Sequence, residues 1–74
     1  MLNLTEMVTD RKTRICYRAV LAAITNSLYP LNEMELSHAL KMKNWELKAA
    51  LKFWQEQKMI YQQKGEWLPT SDRN

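Results

Sequence analysis

Apolar side chains recur at helical spacing over two long stretches of this chain and one short one, then give way to a brief extended pattern around its single glycine, Gly65. Over residues 10–27, a turn of roughly 100° per residue puts Cys16, Tyr17, Val20, Leu21, Ile24 and Leu28 on one face. Arg11, Arg14 and Arg18 fall on the opposite face. Thr9 or Asp10 is placed to cap this first helix. Tyr29 and Pro30 end it, because the residue before a proline is pushed out of helical backbone and proline cannot continue the ladder. Leu31 is then positioned to form a single short strand.

A second helix opens at Asn32 with Glu35 three residues on, a capping box in which each side chain satisfies a free backbone N–H of the other. Its apolar positions are Met34, Leu36, Ala39 and Leu40. After Lys41, Met42 and Lys43 a third helix is expected over residues 44–58, with Leu47, Ala50, Leu51 and Trp54 as its inward stripe. Residues 59–63 and 66–68 flank Gly65 and carry Ile60, Tyr61, Trp67 and Leu68, which is a hairpin signal. The expected core combines Cys16, Val20, Leu21, Ile24, Leu36, Leu40, Leu47, Leu51, Trp54, Ile60 and Trp67.

Seventy-four residues make one domain. A chain of this length buries only about 60% of its unfolded surface, so dimerisation is an available source of stability. Residues 10–68 are read as the domain, with residues 1–9 as a flexible N-terminus and 69–74 as a disordered polar tail. The lone cysteine, Cys16, can form no internal disulfide, and no zinc-ligand cluster is present. No apolar run approaches the roughly 20 residues that span a bilayer, and residues 1–9 carry no basic residue ahead of an apolar stretch. The expectation is a cytoplasmic protein with no membrane partner.

The net charge of +3 is unevenly spread. Residues 10–18 hold four basic side chains against one acidic, residues 41–58 hold five lysines against two glutamates, and the remainder is net acidic. Two basic segments suit an anionic partner such as a nucleic acid. The alternative is a solvated helix surface, which carries such charges without a nucleic-acid partner.

Over residues 34–60 the sequence resembles the helix-turn-helix of small winged helix-turn-helix DNA-binding domains, of the bacterial or phage transcriptional-regulator type. Leu36, Ser37 and Leu40 fill the first helix of that pattern, Met42 the turn, and Leu47, Leu51 and Trp54 the second helix. Met59 and Ile60 begin the wing. The resemblance implies a mainly α fold with a small β-hairpin, three helices plus a two-stranded wing. The turn position often held by glycine is Lys41, which either takes a left-handed backbone at about 1 kcal/mol or marks a different turn. The usual cap of the second helix aligns with Lys43, whereas Asn44 is the better capping residue.

In that fold the second helix of the pair enters the major groove. The resemblance therefore implies DNA contacts from Lys43, Asn44, Trp45, Lys48, Ala49 and Lys52, and from Lys64 on the wing, with Arg11, Arg14 and Arg18 as possible backbone contacts. Lys48 and Lys52 would meet phosphates or guanine acceptors, and Asn44 would pair with adenine if free of capping. Trp45, Ala49 and Phe53 follow at four-residue steps and favour a second role, a protein interface or homodimer contact, since aromatic anchors centre such surfaces. Alternatively Trp45 covers Met42, and Phe53 packs on the hairpin beside Trp67.

Catalysis finds little in this sequence. His38 lies toward the outer side of its helix without a pairing partner, and one glycine cannot build a phosphate-cradling loop. No cofactor, metal or small-molecule ligand is expected, and the chain reads as a DNA-binding regulator acting as a dimer rather than an enzyme. The alternative is a protein-interaction module, adaptor or inhibitor, built on the Trp45, Ala49 and Phe53 surface.

Overall fold

The computed structural model of the chain describes residues 10–70. The expected flexible segment 1–9 and residues 71–74 of the expected tail lie outside the described residues. The elements follow the order α1 (Arg11–Asn26), β1 (Leu31–Asn32), α2 (Glu33–Leu40), α3 (Asn44–Glu56), β2 (Ile60–Gln63) and β3 (Glu66–Pro69). Three helices and a small antiparallel sheet of strand order β1-β3-β2 form a mainly α domain.

Asp10 caps α1, its Oδ2 accepting from the Thr13 backbone N–H at 2.9 Å and from the Thr13 hydroxyl at 2.6 Å. The far end departs from expectation. Ser27 leaves the helical region and its hydroxyl donates to the Tyr29 carbonyl, so the chain turns before the proline acts. Leu28, expected on the apolar face, is consequently 96% exposed. The capping box of α2 forms in both directions, Glu35 N–H to Asn32 Oδ1 at 2.8 Å and Asn32 N–H to Glu35 Oε1 at 2.9 Å.

Only one side of the eight-residue α2 meets the other helices. Leu36 is buried and Leu40 half-buried, while Met34 and Ala39 point outward. Positions two apart on a helix face opposite ways, so Met34 cannot join Leu36 inside. The stripe of α3 behaves as its periodicity demands, with Leu47, Ala50, Leu51 and Trp54 all buried. That helix ends at Glu56 rather than 58, because Lys58 takes a left-handed backbone (φ 62°) and the Met59 N–H turns back to the Trp54 carbonyl at 3.0 Å.

Leu31 pairs with Trp67 and Asn32 with Glu66, so the short β1 closes the sheet against β3. β2 and β3 form the hairpin, and both Lys64 and Gly65 at its tip have positive φ, the backbone a type I′ turn requires. Pairing runs further than the sequence suggests. Pro69 pairs with Ile60, and the Thr70 N–H donates to the Met59 carbonyl at 2.9 Å.

Val20 and Ile24 of α1, Leu36, the α3 stripe, Ile60 and Trp67 make one buried cluster, against which Tyr17, Leu21, Leu40 and Met42 pack. Cys16 is absent from it and is only half-buried. The two core tryptophans differ. Trp54 Nε1 donates to the Tyr17 carbonyl at 2.8 Å, whereas Trp67 Nε1 is buried with no partner among the described residues. An unmade buried hydrogen bond costs roughly 1 to 3 kcal/mol. Trp54→Phe is therefore expected to destabilise by about 2 kcal/mol or more, and Trp67→Phe by about 1 kcal/mol or less, since loss of an orphaned donor offsets lost volume. Urea denaturation of both variants checks the ordering.

Candidate functional site

The turn from α2 to α3 sets how α3 is presented. Lys41 sits in the left-handed region (φ 55°), and its N–H and that of Met42 both return to the Ser37 carbonyl. The Ser37 hydroxyl donates to the Met42 carbonyl at 2.8 Å, pinning the turn from inside the helix. Met42 packs on the core and so fixes the turn from below. Of the two alternatives for Lys41, the structure takes the left-handed one.

Lys43, not Asn44, is the N-cap of α3. Lysine has no acceptor to offer a helix N-terminus. Glu46 makes the only half of a capping box that such a pair allows, its Oε1 accepting the Lys43 N–H at 3.1 Å. Asn44 is thereby freed of capping and stands exposed as the first residue of the helix.

Because Leu47, Ala50, Leu51 and Trp54 face inward, Trp45, Lys48, Ala49, Lys52 and Glu56 face out, and all five are exposed. Lys41, Lys43, Lys48, Lys52 and Lys64 make no ion pair with another described residue. Their ammonium groups remain available to an external anion. At the hairpin tip Lys64 is exposed beside Gln62 and Gln63.

The expected Trp45, Ala49 and Phe53 surface divides. Phe53 is half-buried, stacked obliquely on Tyr17 of α1 at 5.1 Å and edge-on to Trp54 at 4.9 Å. It packs against the first helix rather than beside Trp67, because its position on α3 is one flank of the buried stripe. Trp45 remains 68% exposed. With Ala49 it forms one wall of a cleft of about 320 Å³ between α3 and α1, which Met42, Glu46, Asp10, Lys12, Thr13, Cys16 and Tyr17 complete. Trp45 and Met42 thus line the same cleft, and most of the indole surface stays exposed.

Arg11 and Arg18 are exposed, on the side of α1 turned from the core. Arg14 is half-buried, and its charge acts on Asp10, so the three arginines do not form one uniform stripe. The Asp10 carboxyl is held below its ordinary pKa by the Thr13 hydroxyl first and the Thr13 N–H second, with Arg14 and Lys12 adding smaller effects against a small opposing cost of burial. Asp10 is therefore an anion at neutral pH, at one edge of the cleft.

Among the described residues no group of three His, Cys, Asp or Glu side chains is placed to hold a metal ion, and no helix is long and apolar enough to cross a membrane. His38 is exposed on α2. Comparison of the chain with protein families, curated proteins and solved structures finds no match.

Two features escaped the sequence pattern. The cleft joins residues of α1 to residues about 30 positions later, which no local spacing reveals. Lys41 joins the exposed basic group, and the signal for it is a lysine in a turn position that glycine fits better. Lys41, Lys58 and Lys64 are the three non-glycine residues of positive φ among those described. Asparagine tolerates that backbone, so Lys41→Asn and Lys64→Asn are each expected to stabilise the fold by about 0.5 to 1 kcal/mol. Thermal denaturation measures the gain.

Proposed function

We propose that this chain is a winged helix-turn-helix domain that binds double-stranded DNA as a transcriptional regulator in the cytoplasm. In this reading α2 and α3 form the helix-turn-helix and the β2–β3 hairpin is the wing. The outer face of α3 carries the proposal, with Lys48 and Lys52 exposed and without ion pairs to described residues, directly after a turn bearing Lys41 and Lys43.

Roles then follow from chemistry. Lys43, Lys48, Lys52 and Lys64 neutralise phosphates, Lys64 from the wing, and the uncapped Asn44 is the residue equipped to pair with adenine. Arg11 and Arg18 lie on the far side of α1 and serve only where DNA wraps that helix. One copy offers few base-reading groups, and a homodimer presenting two α3 helices supplies the rest. The exposure of Trp45 favours a second reading, in which Trp45 and Ala49 grip a partner protein.

The test is a titration with mixed-sequence duplex DNA at about 50 and about 200 mM salt. Four lysine–phosphate contacts predict a fall in affinity of about a hundredfold across that range. Replacing Lys48 and Lys52 with alanine is expected to lower the logarithmic salt slope by about 2. Absence of binding at the lower salt overturns the proposal, and a salt-insensitive protein complex lost in Trp45→Ala supports the second reading.

A further inference from the structure

The outer face of α3 is short of groups that read bases by hydrogen bonds. Lys48 and Lys52 donate without accepting, which suits phosphate or the O6 and N7 of guanine, and Ala49 and Trp45 offer apolar surface with a single indole N–H donor. Asn44 is the one amide in the first turn, and Gln55 lies near the other end of the helix. At roughly 100° per residue, Trp45 and Ala49 stand about 40° apart as one apolar strip, with Lys52 and then Lys48 on the same flank beside it and Glu56 in line with it at the far end of the helix.

The two flanks of that strip differ in charge. On the Ala49 side the cleft mixes the carboxylates of Asp10 and Glu46 with the cations of Lys12 and of Arg14, which acts on Asp10, so these four groups carry no net charge to draw phosphate. On the other side stand Lys48 and Lys52, which attract it. A duplex lying along α3 therefore sets its backbone against the lysines and brings the base edges to Trp45 and Ala49. In the major groove the one apolar mark a base carries is the C5-methyl group of thymine. The small Ala49 side chain permits close approach and the indole supplies the area to cover a methyl.

We infer that the Trp45–Ala49 strip reads thymine methyl groups in the major groove of duplex DNA, which gives the domain a preference for A·T-rich sites. This rests on the DNA-binding reading above and specifies its partner. Trp45 here sets specificity, while affinity comes from the lysines.

Uracil keeps every pairing group of thymine and lacks only the methyl. The experiment compares an alternating A·T duplex of about 20 base pairs with its uracil counterpart at about 50 mM salt, for the native chain, Trp45→Ala and Trp45→Phe. The native protein is expected to bind the thymine duplex about fourfold more tightly for each methyl covered. Trp45→Ala is expected to bind both duplexes alike and Trp45→Phe to keep most of the preference. Fluorescence of the buried Trp54 and Trp67 reports that each variant is folded. Equal binding of the two duplexes by the native protein, or a preference that survives in Trp45→Ala, overturns the inference and leaves DNA binding standing. Failure to bind either duplex overturns both.

Discussion

The indole of Trp54 decides which way the third helix faces. Its ring lies in the core, its N–H reaches the Tyr17 carbonyl of α1 at 2.8 Å, and the adjacent Phe53 packs on the Tyr17 ring. A hydrogen bond between residues so far apart in sequence, backed by aromatic contact, allows α3 little freedom to roll. With Leu47, Ala50 and Leu51 buried on the same side, the outward positions follow by helical geometry alone. Trp45, Lys48, Ala49 and Lys52 are exposed because Trp54 is not. The proposed DNA face is thus a consequence of the core.

Charge at the turns is carried at the expense of backbone comfort. Lys41 closes α2, Lys58 closes α3 and Lys64 takes the first position of the hairpin turn, each at positive φ. An L-residue in this region gives up about 1 kcal/mol relative to glycine or a tolerant asparagine. For a chain of 74 residues that is a real fraction of the available stability. Lys41 and Lys64 lie where the proposed contact needs positive charge, one before α3 and one at the hairpin tip. A binding role gives a reason to keep lysine at those two positions. Lys58, at the opposite end of α3 from Lys41, has no such account here.

Much of the fold was legible because it rests on local periodicity. Val20 and Ile24, and then Leu47, Leu51 and Trp54, repeat at helical spacing over helices long enough to have a defined inner face. The Asn32 and Glu35 box and the glycine of the hairpin are local signals of the same kind. What failed was decided by single backbone events or by distant partners. The Ser27 turn exposed Leu28, the left-handed Lys58 shortened α3, and the brevity of α2 turned Met34 outward. Phe53 found Tyr17 and Cys16 came to line a cleft rather than the core, and both depend on how α1 lies across α3. Lys43 caps α3 without an acceptor because Glu46 supplies half of the box by itself.

The proposed contact with duplex DNA lies on the outer face of α3 and at the hairpin tip. The most direct measurement is an amide chemical-shift titration of the labelled protein with a duplex, which locates the contact without any substitution. A duplex bound there shifts residues 41–52 and Lys64 and Gly65 most, with Val20, Ile24 and the inner side of α1 scarcely moved. Changes centred instead on the exposed Leu28, Tyr29 and Met34, or no change on adding duplex, would contradict it.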